Sequence, residues 1–510
     1  MMFNRFLGRS ALKPRIAKSR RIDLLRLRGN LQTGSALRSG SKDTYYIVAS
    51  VEVGNTTTKC ILTATNLREG KAYIINKKVK MTRDVRPPKP GEEVFGRTLD
   101  ETPLTRESVS ELVRDTLLEA HKESDLNIKR DLNFAVRSTG VVAGFDSPDD
   151  VGTFVLALAD GCLSAGVPTR NMTPAISIDG LPKNIRKFSL LEKVYFDGGV
   201  GGVIPPFGST GVEIVANEME GELATVGIKE GAKWAGVDFR NPCVSMDFGT
   251  TLDGRITDDG IPYAKTIGNF CGLAGAIPDN IVKGALEEDN ITALDLFKEK
   301  NQGFSKRKKF KGFFSGRKRR EASIENYTEK IHDMIRIEKV PLDRKKYGYI
   351  PVNPKVAEDI GVTLIGCDVG ENGDRLNDLR EIGREIMEKD GLEMLSSTID
   401  VVCAVMVERL LKVALKEGLI GDKTAIGLTG RAAITGNKPS LILELIERLN
   451  LYSSPEENVV FVDDGLARGA AAMARCMNSL GNPKNPIGGV RGKKCVLSER
   501  IKRQQRKMEG

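Results

Sequence analysis

Two strand–turn–strand segments, almost two hundred residues apart, most constrain how this chain can fold. The first is YIVASVEVGNTTTKCIL at 46–62, and the second is CVSMDFGTTLDGRI at 243–256. Each is a run of β-forming residues that ends in an acidic residue and a glycine, continues with small polar side chains, and returns to strand. Backbone N–H groups and hydroxyls at such a hairpin tip can hold a polyphosphate. Two such tips, presenting Glu52 and Asp247, predict that two lobes hold a nucleotide and its metal ion between them.

The composition excludes several kinds of site. The 510 residues include only two histidines and eight scattered cysteines with no CxxC pair. A histidine metal cage, a Ser-His-Asp triad and a local zinc or iron–sulfur motif are therefore not supported, and carboxylates, hydroxyls and backbone amides must carry any chemistry. No apolar run approaches the ~20 residues that a membrane span needs. The cysteine usage suits a reducing compartment, so we expect a cytoplasmic protein.

The net charge of +10 is concentrated in three basic segments. Residues 1–42 carry eleven Lys/Arg and one acidic residue. Residues 306–320 carry nine Lys/Arg and no acidic residue, and residues 491–507 carry eight Lys/Arg and one acidic residue. The rest of the chain is therefore acidic, whereas a nucleic-acid enzyme normally lines its cleft with positive charge, so we consider a nucleic-acid partner unfavoured. The segment 304–320 also contains Phe310, Phe313 and Phe314, and it could bind a partner protein, RNA or acidic lipid. A solvated loop without a binding role is the alternative.

The order of elements predicts an α/β fold. Strands are expected at 45–53, 59–65, 72–79, 133–139 and 174–178, with helices from about 105 and 147, which is the order of an RNase H-like lobe. After a small-residue helix at 213–234, the pattern restarts with strands near 243–248, 252–257 and 261–266. Helices near 376–389 and 391–417, a strand at 424–430 and a strand feeding a helix at 459–479 follow. The prediction is two RNase H-like lobes with a nucleotide cleft between them.

The corresponding domains are predicted as a basic flexible arm at 1–43, a first lobe at 44–242 and a second lobe at 243–462. A basic insertion at 298–320 interrupts the second lobe. A helix at 463–480 is expected to pack back on the first lobe, and 481–510 is a basic tail. Small residues in DDGLARGAAA at 463–472 suit a close helix crossing at a hinge.

The first turn supplies one set of candidate ligands. Gly54 permits a tight turn and close approach to phosphate oxygens. Asn55, Thr56 and Thr57 offer amides and hydroxyls, and Lys59 offers a cation. An ordinary hairpin with a polar tip is the alternative explanation.

The second turn supplies Asp247, Gly249, Thr250 and Thr251. Mg²⁺ prefers hard oxygen ligands and keeps most of its hydration shell, so Asp247 and Glu52 are the predicted metal ligands. Glu52, Asp247 and Glu218 are the predicted catalytic residues. Glu218 would orient water at the γ-phosphate, with Glu220 and Glu222 as competitors and a solvated helix face as the alternative.

A third motif, GLTGRAA at 427–433, follows a strand and opens toward a helix. Gly427, Thr429, Gly430 and Arg431 are the predicted residues beside the adenine and ribose. A helix cap is the alternative.

These elements resemble, in order and spacing, the actin, hexokinase and DnaK-type chaperone ATPase superfamily. Its phosphate-one, connect-one, phosphate-two, adenosine and connect-two signatures correspond to 52–59, 213–230, 247–254, 427–433 and 463–472. GNTTTK is similar to the opening of the reactivating ATPases for diol dehydratase and ethanolamine ammonia-lyase, which release damaged corrinoid cofactors. Over its whole length the chain resembles the methanogenesis marker protein fourteen family of methane-forming archaea.

The resemblance implies an actin-like ATPase that binds ATP and Mg²⁺, hydrolyses ATP slowly, and activates or reactivates a cofactor-dependent enzyme linked to methanogenesis. Two departures bear on this. Glu52 stands where most of the superfamily has Asp, and the cysteine cluster of the reductive corrinoid activators has no counterpart here. A small-molecule kinase and an actin- or MreB-like scaffold are the alternatives.

Overall fold

A computed structural model describes residues 12–18, 20–22, 45–66, 71–140, 145, 148–172, 193–197, 200–204, 213–258, 266–296, 315–359 and 361–472. They form two compact units. The N-terminal unit comprises the described residues within 17–236 and 463–472, and the C-terminal unit those within 12–16, 237–258 and 266–462. Among the residues so described, no helix is long and apolar enough to cross a membrane.

The strands in chain order are β1 Arg15–Ala17, β2 Tyr45–Gly54, β3 Thr57–Asn66, β4 Lys71–Met81, β5 Val94–Arg97, β6 Pro103–Thr105, β7 Phe134–Gly140, β8 Lys193–Asp197, β9 Val200–Ile204, β10 Cys243–Phe248, β11 Leu252–Thr257, β12 Thr266–Gly272, β13 Ile335–Lys339, β14 Lys346–Tyr347, β15 Ile350–Pro351, β16 Thr363–Val369, β17 Ala425–Thr429 and β18 Val459–Val462. Most are rich in β-branched and aromatic residues, which pack well on a pleated surface.

The helices are α1 Arg106–Glu123, α2 Ile128–Asp131, α3 Pro148–Ser164, α4 Glu213–Ala235, α5 Ala276–Leu286, α6 Ser315–His332, α7 Pro354–Asp359, α8 Asp378–Lys389, α9 Leu392–Lys416, α10 Arg431–Ile434, α11 Lys438–Arg448 and α12 Pro455–Asn458. Residues 465–472 are also helical. The start of α1 is fixed by a capping box, in which Thr105 and Ser108 each donate a backbone N–H to the other's hydroxyl at 3.1 Å.

The N-terminal unit contains a four-stranded sheet in the order β4–β3–β2–β7. β2 is antiparallel to β3 and parallel to β7, and β3 is antiparallel to β4. Alternate residues of β2 enter two different cores, because side chains of a strand alternate between faces. Val51 and Val53 pack with α1 and α3, whereas Tyr46 and Val48 pack with α4 and the 465–472 helix.

The C-terminal unit contains an eight-stranded sheet in the order β1–β18–β17–β10–β11–β12–β16–β13. β10 is antiparallel to β11 and parallel to β17, and β11 is antiparallel to β12. Val244, Met246 and Phe248 of β10 lie in one large core with residues of α5, α8, α9 and α11. The partners of β10 thus repeat those of β2 in the other unit, in the same directions.

Two sequence expectations differ from the structure, and a third is tested only in part. Of the strand expected at 261–266, residues 261–265 lie outside the described residues, and the strand that the structure describes is Thr266–Gly272. The last residues of the basic insertion, 315–320, begin helix α6, whose Ile324, Tyr327 and Ile331 recur at helical spacing and are buried. Within the predicted flexible arm, 15–17 form strand β1.

Other expectations lie outside the described residues. These are the strand at 174–178, residues 198–199 and 205–211 of a Gly/Pro-rich insertion expected at 197–211, residues 298–314, the end of the last predicted helix at 473–480 and the tail at 481–510.

Candidate functional site

The first turn joins β2 to β3 and places its acidic residue opposite its lysine. Glu52 pairs with Lys59 across the antiparallel register. The Lys59 Nζ lies 3.8 Å from Glu52 Oε1, and the Glu52 side chain is 11% exposed. The two residues therefore form a partly buried ion pair at the base of the hairpin tip.

The tip of the first turn is held from outside the hairpin. Thr82 donates its backbone N–H to Thr56 O at 2.9 Å and its hydroxyl to Gly54 O at 2.7 Å. The Asn55 carboxamide oxygen accepts the Leu99 N–H at 2.9 Å. Asn55, Thr56 and the strand residue Thr57 are all buried. The amide oxygen of Asn55 thus stabilises the turn, and Thr82 and Leu99 are supports that sequence reasoning missed.

The second turn joins β10 to β11 and brings two carboxylates together. Asp247 pairs directly with Asp253 across the antiparallel ladder, and both are buried. Directly paired residues project from the same face with Cβ atoms about 4.5–5.5 Å apart. The Thr251 hydroxyl donates to Asp253 Oδ2 at 3.2 Å. Asp253 was part of the sequence motif, but only the register shows that it faces Asp247.

This pair of carboxylates fits the donor set of Mg²⁺. Mg²⁺ is commonly held by one or two carboxylates with water and phosphate oxygens completing its shell. Across the described ranges, no group of three or more His, Cys, Asp or Glu side chains is arranged to hold a metal ion. Asp247 and Asp253 could supply carboxylate ligands to a Mg²⁺ ion whose shell is completed by water and phosphate oxygens.

The carbonyl groups of the second turn point toward the segment before α5. Gly275 N donates to Gly249 O at 2.8 Å, and the N–H groups of Ala274 and Ala276 donate to Thr250 O at 3.1 and 3.0 Å. The C=O and N–H of one trans peptide point in opposite directions. The N–H groups of Thr250 and Thr251 consequently point away from this segment.

The predicted adenosine motif lies directly beside Asp247 in the same sheet. In the parallel β10–β17 register, Ser245 aligns with Gly427 and Asp247 with Thr429. Gly430 has a φ of +86°, and a Cβ there would lie 2.3 Å from Asp247 Oδ1. Only glycine fits this position, since a side chain would collide with the carboxylate.

Arg431, the last residue predicted in that motif, is engaged by a buried acid. Its guanidinium makes a bidentate ion pair with Asp279 of α5, with Nη1 2.7 Å from Oδ1 and Nη2 on Oδ2. Asp279 was not identified from the sequence. Its only signal is an acidic residue in the first turn of a helix whose other positions are largely apolar.

Glu218 lies in α4 of the N-terminal unit. α4 covers the face of the sheet that carries Tyr46 and Val48, and Glu52 shares that face because the alternation has a period of two. Further along α4, Gly227 meets the 465–472 helix so closely that a Cβ would lie 1.7 Å from Gly465 O. The small residues of both helices permit this crossing.

Among the described residues, six cysteines and His121 are buried, and His332 is partly buried. Burial and the Arg409 guanidinium hold the pKa of His332 at about 3, and burial lowers the pKa of His121. Burial raises the pKa of Cys162 and of Cys403 to about 11. Both histidines are neutral and both thiols are protonated at neutral pH, so their side chains contribute to packing.

Comparison with known proteins identifies a family. A family model described as an uncharacterized protein conserved in archaea (DUF2114) matches residues 45–504, and the chain belongs to that family. An uncharacterized protein of Methanocaldococcus jannaschii is 52% identical over 508 residues, which cover 99% of this chain and 98% of the relative. An uncharacterized protein of Methanothermobacter thermautotrophicus is 52% identical over 501 residues, which cover 97% of this chain and 90% of the relative.

One solved structure is similar at a lower level. It is titled a reductive activator for corrinoid, iron-sulfur protein, and it matches 89% of this chain with 10% identity and a TM-score of 0.36. The chain spans 65% of the length of that protein. A TM-score of this size carries no inference about activity.

Proposed function

We propose that this archaeal protein binds Mg-ATP through its two hairpin turns and hydrolyses it slowly. We further propose that it uses the resulting conformational change to activate or reactivate a cofactor-dependent enzyme linked to methanogenesis. The two methanogen relatives and the superfamily resemblance of the motifs support this role. It would act with a protein partner in the cytoplasm, as an actin-like ATPase.

The observation that carries the proposal is the repetition of one site architecture in both units. In each, a central strand is antiparallel to the next strand and parallel to a later one, and an acidic residue stands just before the hairpin tip. On the parallel neighbour, Ser138 aligns with Glu52 and Thr429 aligns with Asp247. Two matching turns of this kind suit the two ends of a polyphosphate chain.

The two acids have different proposed roles. Asp247, facing Asp253, would hold Mg²⁺ through oxygen ligands and water. Glu52, beside Lys59, would act at the first turn as a catalytic residue for hydrolysis, and Glu218 would orient the attacking water. Mg²⁺ would neutralise phosphate charge, while the backbone N–H groups of Thr250 and Thr251 would bind phosphate oxygens.

The test of nucleotide binding is calorimetry with ATP, with Mg²⁺ present and with the metal chelated. Wild-type protein should bind Mg-ATP more tightly than metal-free ATP. Asp247→Ala should weaken Mg-ATP binding at least about tenfold, the usual cost of losing a charged contact, and remove the metal dependence. Asp238→Ala is the matched control, because Asp238 belongs to the same unit and its side chain is 69% exposed. No binding by wild type, or wild-type behaviour of Asp247→Ala, would contradict the assignment.

The activating role has its own test. Tagged protein would be recovered from methanogen cells with ATP and with ADP, and the ATPase rate measured with each co-purified enzyme. We expect slow turnover alone and faster turnover with the correct partner. Replacing 306–314 by a Gly/Ser linker should reduce partner capture at low salt and leave ATP affinity unchanged, because basic charges speed encounter with an acidic surface. The replacement stops at 314, since α6 begins at Ser315.

A further inference from the structure

The Asp279–Arg431 ion pair joins two segments that are 152 residues apart in the sequence. The Asp279 and Arg431 side chains are only 3% and 14% exposed. Asp279 Oδ1 also accepts the backbone N–H of Ala293 at 2.8 Å. A buried carboxylate with a bidentate arginine and a backbone donor has a fixed orientation, because each contact restricts the same planar group.

This pair touches the second turn at two points. A Cβ on Gly275 would lie 2.4 Å from Gly249 O and 2.9 Å from Arg431 Nη2, so Gly275 fits tightly between the turn and the guanidinium. At the other end, Arg431 follows Gly430, which packs against the carboxylate of Asp247. Arg431 is therefore close to the Gly249 carbonyl of the second turn through Gly275, and it is the chain neighbour of Gly430, which packs against Asp247.

We propose that Asp279 is a positioning residue for the second turn, acting through Arg431 to hold Gly249 and Asp247 in the geometry that receives phosphate and metal. The proposal rests on the proposed nucleotide-binding function. It also revises the role expected of Arg431. Its guanidinium supports the turn from behind, and a direct contact with the nucleotide is not required.

The two roles for Arg431 make different predictions in a double-mutant cycle. If Asp279 and Arg431 act only as a pair, Asp279→Asn, Arg431→Gln and the double variant should weaken Mg-ATP binding equally, each about tenfold. If Arg431 contacts the nucleotide itself, Arg431→Gln should lose markedly more affinity than Asp279→Asn. Arg431→Lys keeps the charge without the bidentate geometry and should lie between wild type and Arg431→Gln.

A second measurement does not depend on ATP. Hydrogen exchange of the backbone amides at 248–252 and 274–276 should be about tenfold faster in Asp279→Asn, because opening of the turn becomes easier. Asp400→Asn is the matched control. Asp400 forms another buried ion pair in the same unit, 2.8 Å from Lys438 Nζ, and it accepts the Asn437 N–H at 2.9 Å. This control should lower thermal stability without accelerating exchange at the turn or weakening Mg-ATP binding.

The outcomes separate this proposal from the proposed function. If wild type binds no Mg-ATP, the nucleotide assignment fails, and exchange at the turn alone decides whether Asp279 positions it. If wild type binds and Asp279→Asn keeps both wild-type affinity and wild-type exchange, the positioning role is overturned. Equal acceleration of exchange in Asp279→Asn and Asp400→Asn would also overturn it, since the effect would then be general loosening of the unit.

Discussion

The two hairpin turns share a strand arrangement but differ in how their acidic residues are compensated. In the N-terminal unit, Glu52 faces Lys59, so the pair is neutral. In the C-terminal unit, Asp247 faces Asp253, so the pair carries up to two negative charges. Two buried carboxylates on one face repel each other unless a cation joins them. Under the proposed function, Mg²⁺ would therefore be held chiefly at the second turn.

The tips also differ in what supports them. The first tip is bonded by the side chain and backbone of Thr82, just after β4, and by the backbone N–H of Leu99, between β5 and β6. The second is bonded by the backbone of 274–276 at the start of a helix, with the Asp279–Arg431 pair behind it. We therefore expect the second turn to be the more rigid of the two, and the more sensitive to substitutions in its support.

The largest effect is expected from Gly430→Ala. A Cβ at this position would lie 2.3 Å from both Asp247 Oδ1 and the Phe248 carbonyl carbon, at a φ of +86°. Steric overlap and left-handed strain together should cost about 3 kcal/mol of stability and abolish detectable Mg-ATP binding. The measurements are urea unfolding and calorimetry.

Two glycines in the same unit separate the causes. Gly418 has a φ of +69°, and a Cβ added there would have no neighbouring atom within 4 Å, so Gly418→Ala tests strain alone. Gly421 has neither strain nor neighbours, and Gly421→Ala should change stability by no more than about 0.5 kcal/mol. If Gly430→Ala retained Mg-ATP binding, this would contradict the assignment of the third motif and Asp247 to one nucleotide site.

The charge difference between the turns predicts unequal metal dependence. Asp247→Asn should weaken Mg-ATP binding at least about tenfold and leave metal-free ATP binding nearly unchanged or improved. Glu52→Gln should change the affinity ratio between Mg-ATP and metal-free ATP by less than about threefold, because Lys59 already compensates that acid. Calorimetry of both variants with and without Mg²⁺ measures this ratio. Equal losses of metal dependence would place the metal at both turns.

Much of this comparison follows from the sequence alone. The hairpins, their acids and the parallel strand at 425–429 are local patterns of β-forming residues and glycine, and each appears close to its predicted bounds. Asp279, Thr82 and Leu99 were missed because their partners are distant in the sequence, and a single chain gives no signal of such pairs. The helical start at 315 was missed because the basic composition suggested a loop, while the apolar spacing that fixes α6 begins only at Ile324.

The two units also differ in the environment of their histidines, which predicts unequal acid sensitivity. His332 Nδ1 lies 3.0 Å from Arg409 Nη1, and its Nε2 lies 3.2 Å from Val402 O, so the neutral ring donates to Val402 and accepts from Arg409. Its pKa of about 3 is below that of an unfolded chain. The unfolded state therefore binds this proton first as pH falls below about 6.5, and the free energy of unfolding of the C-terminal unit decreases until about pH 3.

Between pH 7 and pH 5, protonation of His332 in the unfolded state should lower the free energy of unfolding by about 2 kcal/mol. His332→Gln should flatten that part of the pH profile. His121→Gln should do less, because the pKa of His121 is lowered by burial but is partly restored by the Leu117 carbonyl and by Asp131. Urea unfolding followed by fluorescence of Trp234, the single tryptophan, reports the N-terminal unit, and circular dichroism reports both. An unchanged pH profile in His332→Gln would contradict the neutral ring.

The smallest effect is expected from Glu52→Asp. Removing one methylene withdraws the carboxylate by about 1.3–1.5 Å, roughly one C–C bond as in the Cα–C length. The ion pair with Lys59, already 3.8 Å long, should weaken, while Gly54 and the buried tip keep their supports from Thr82. Because the proposed metal site is at the other turn, Mg-ATP affinity should stay within about twofold, and turnover should be unchanged or raised by up to about threefold. Single-turnover hydrolysis with Glu52→Gln as the control separates the length of the side chain from its charge. A fall of tenfold or more in Glu52→Asp, with affinity retained, would show that the longer reach of glutamate is itself required for hydrolysis at the first turn.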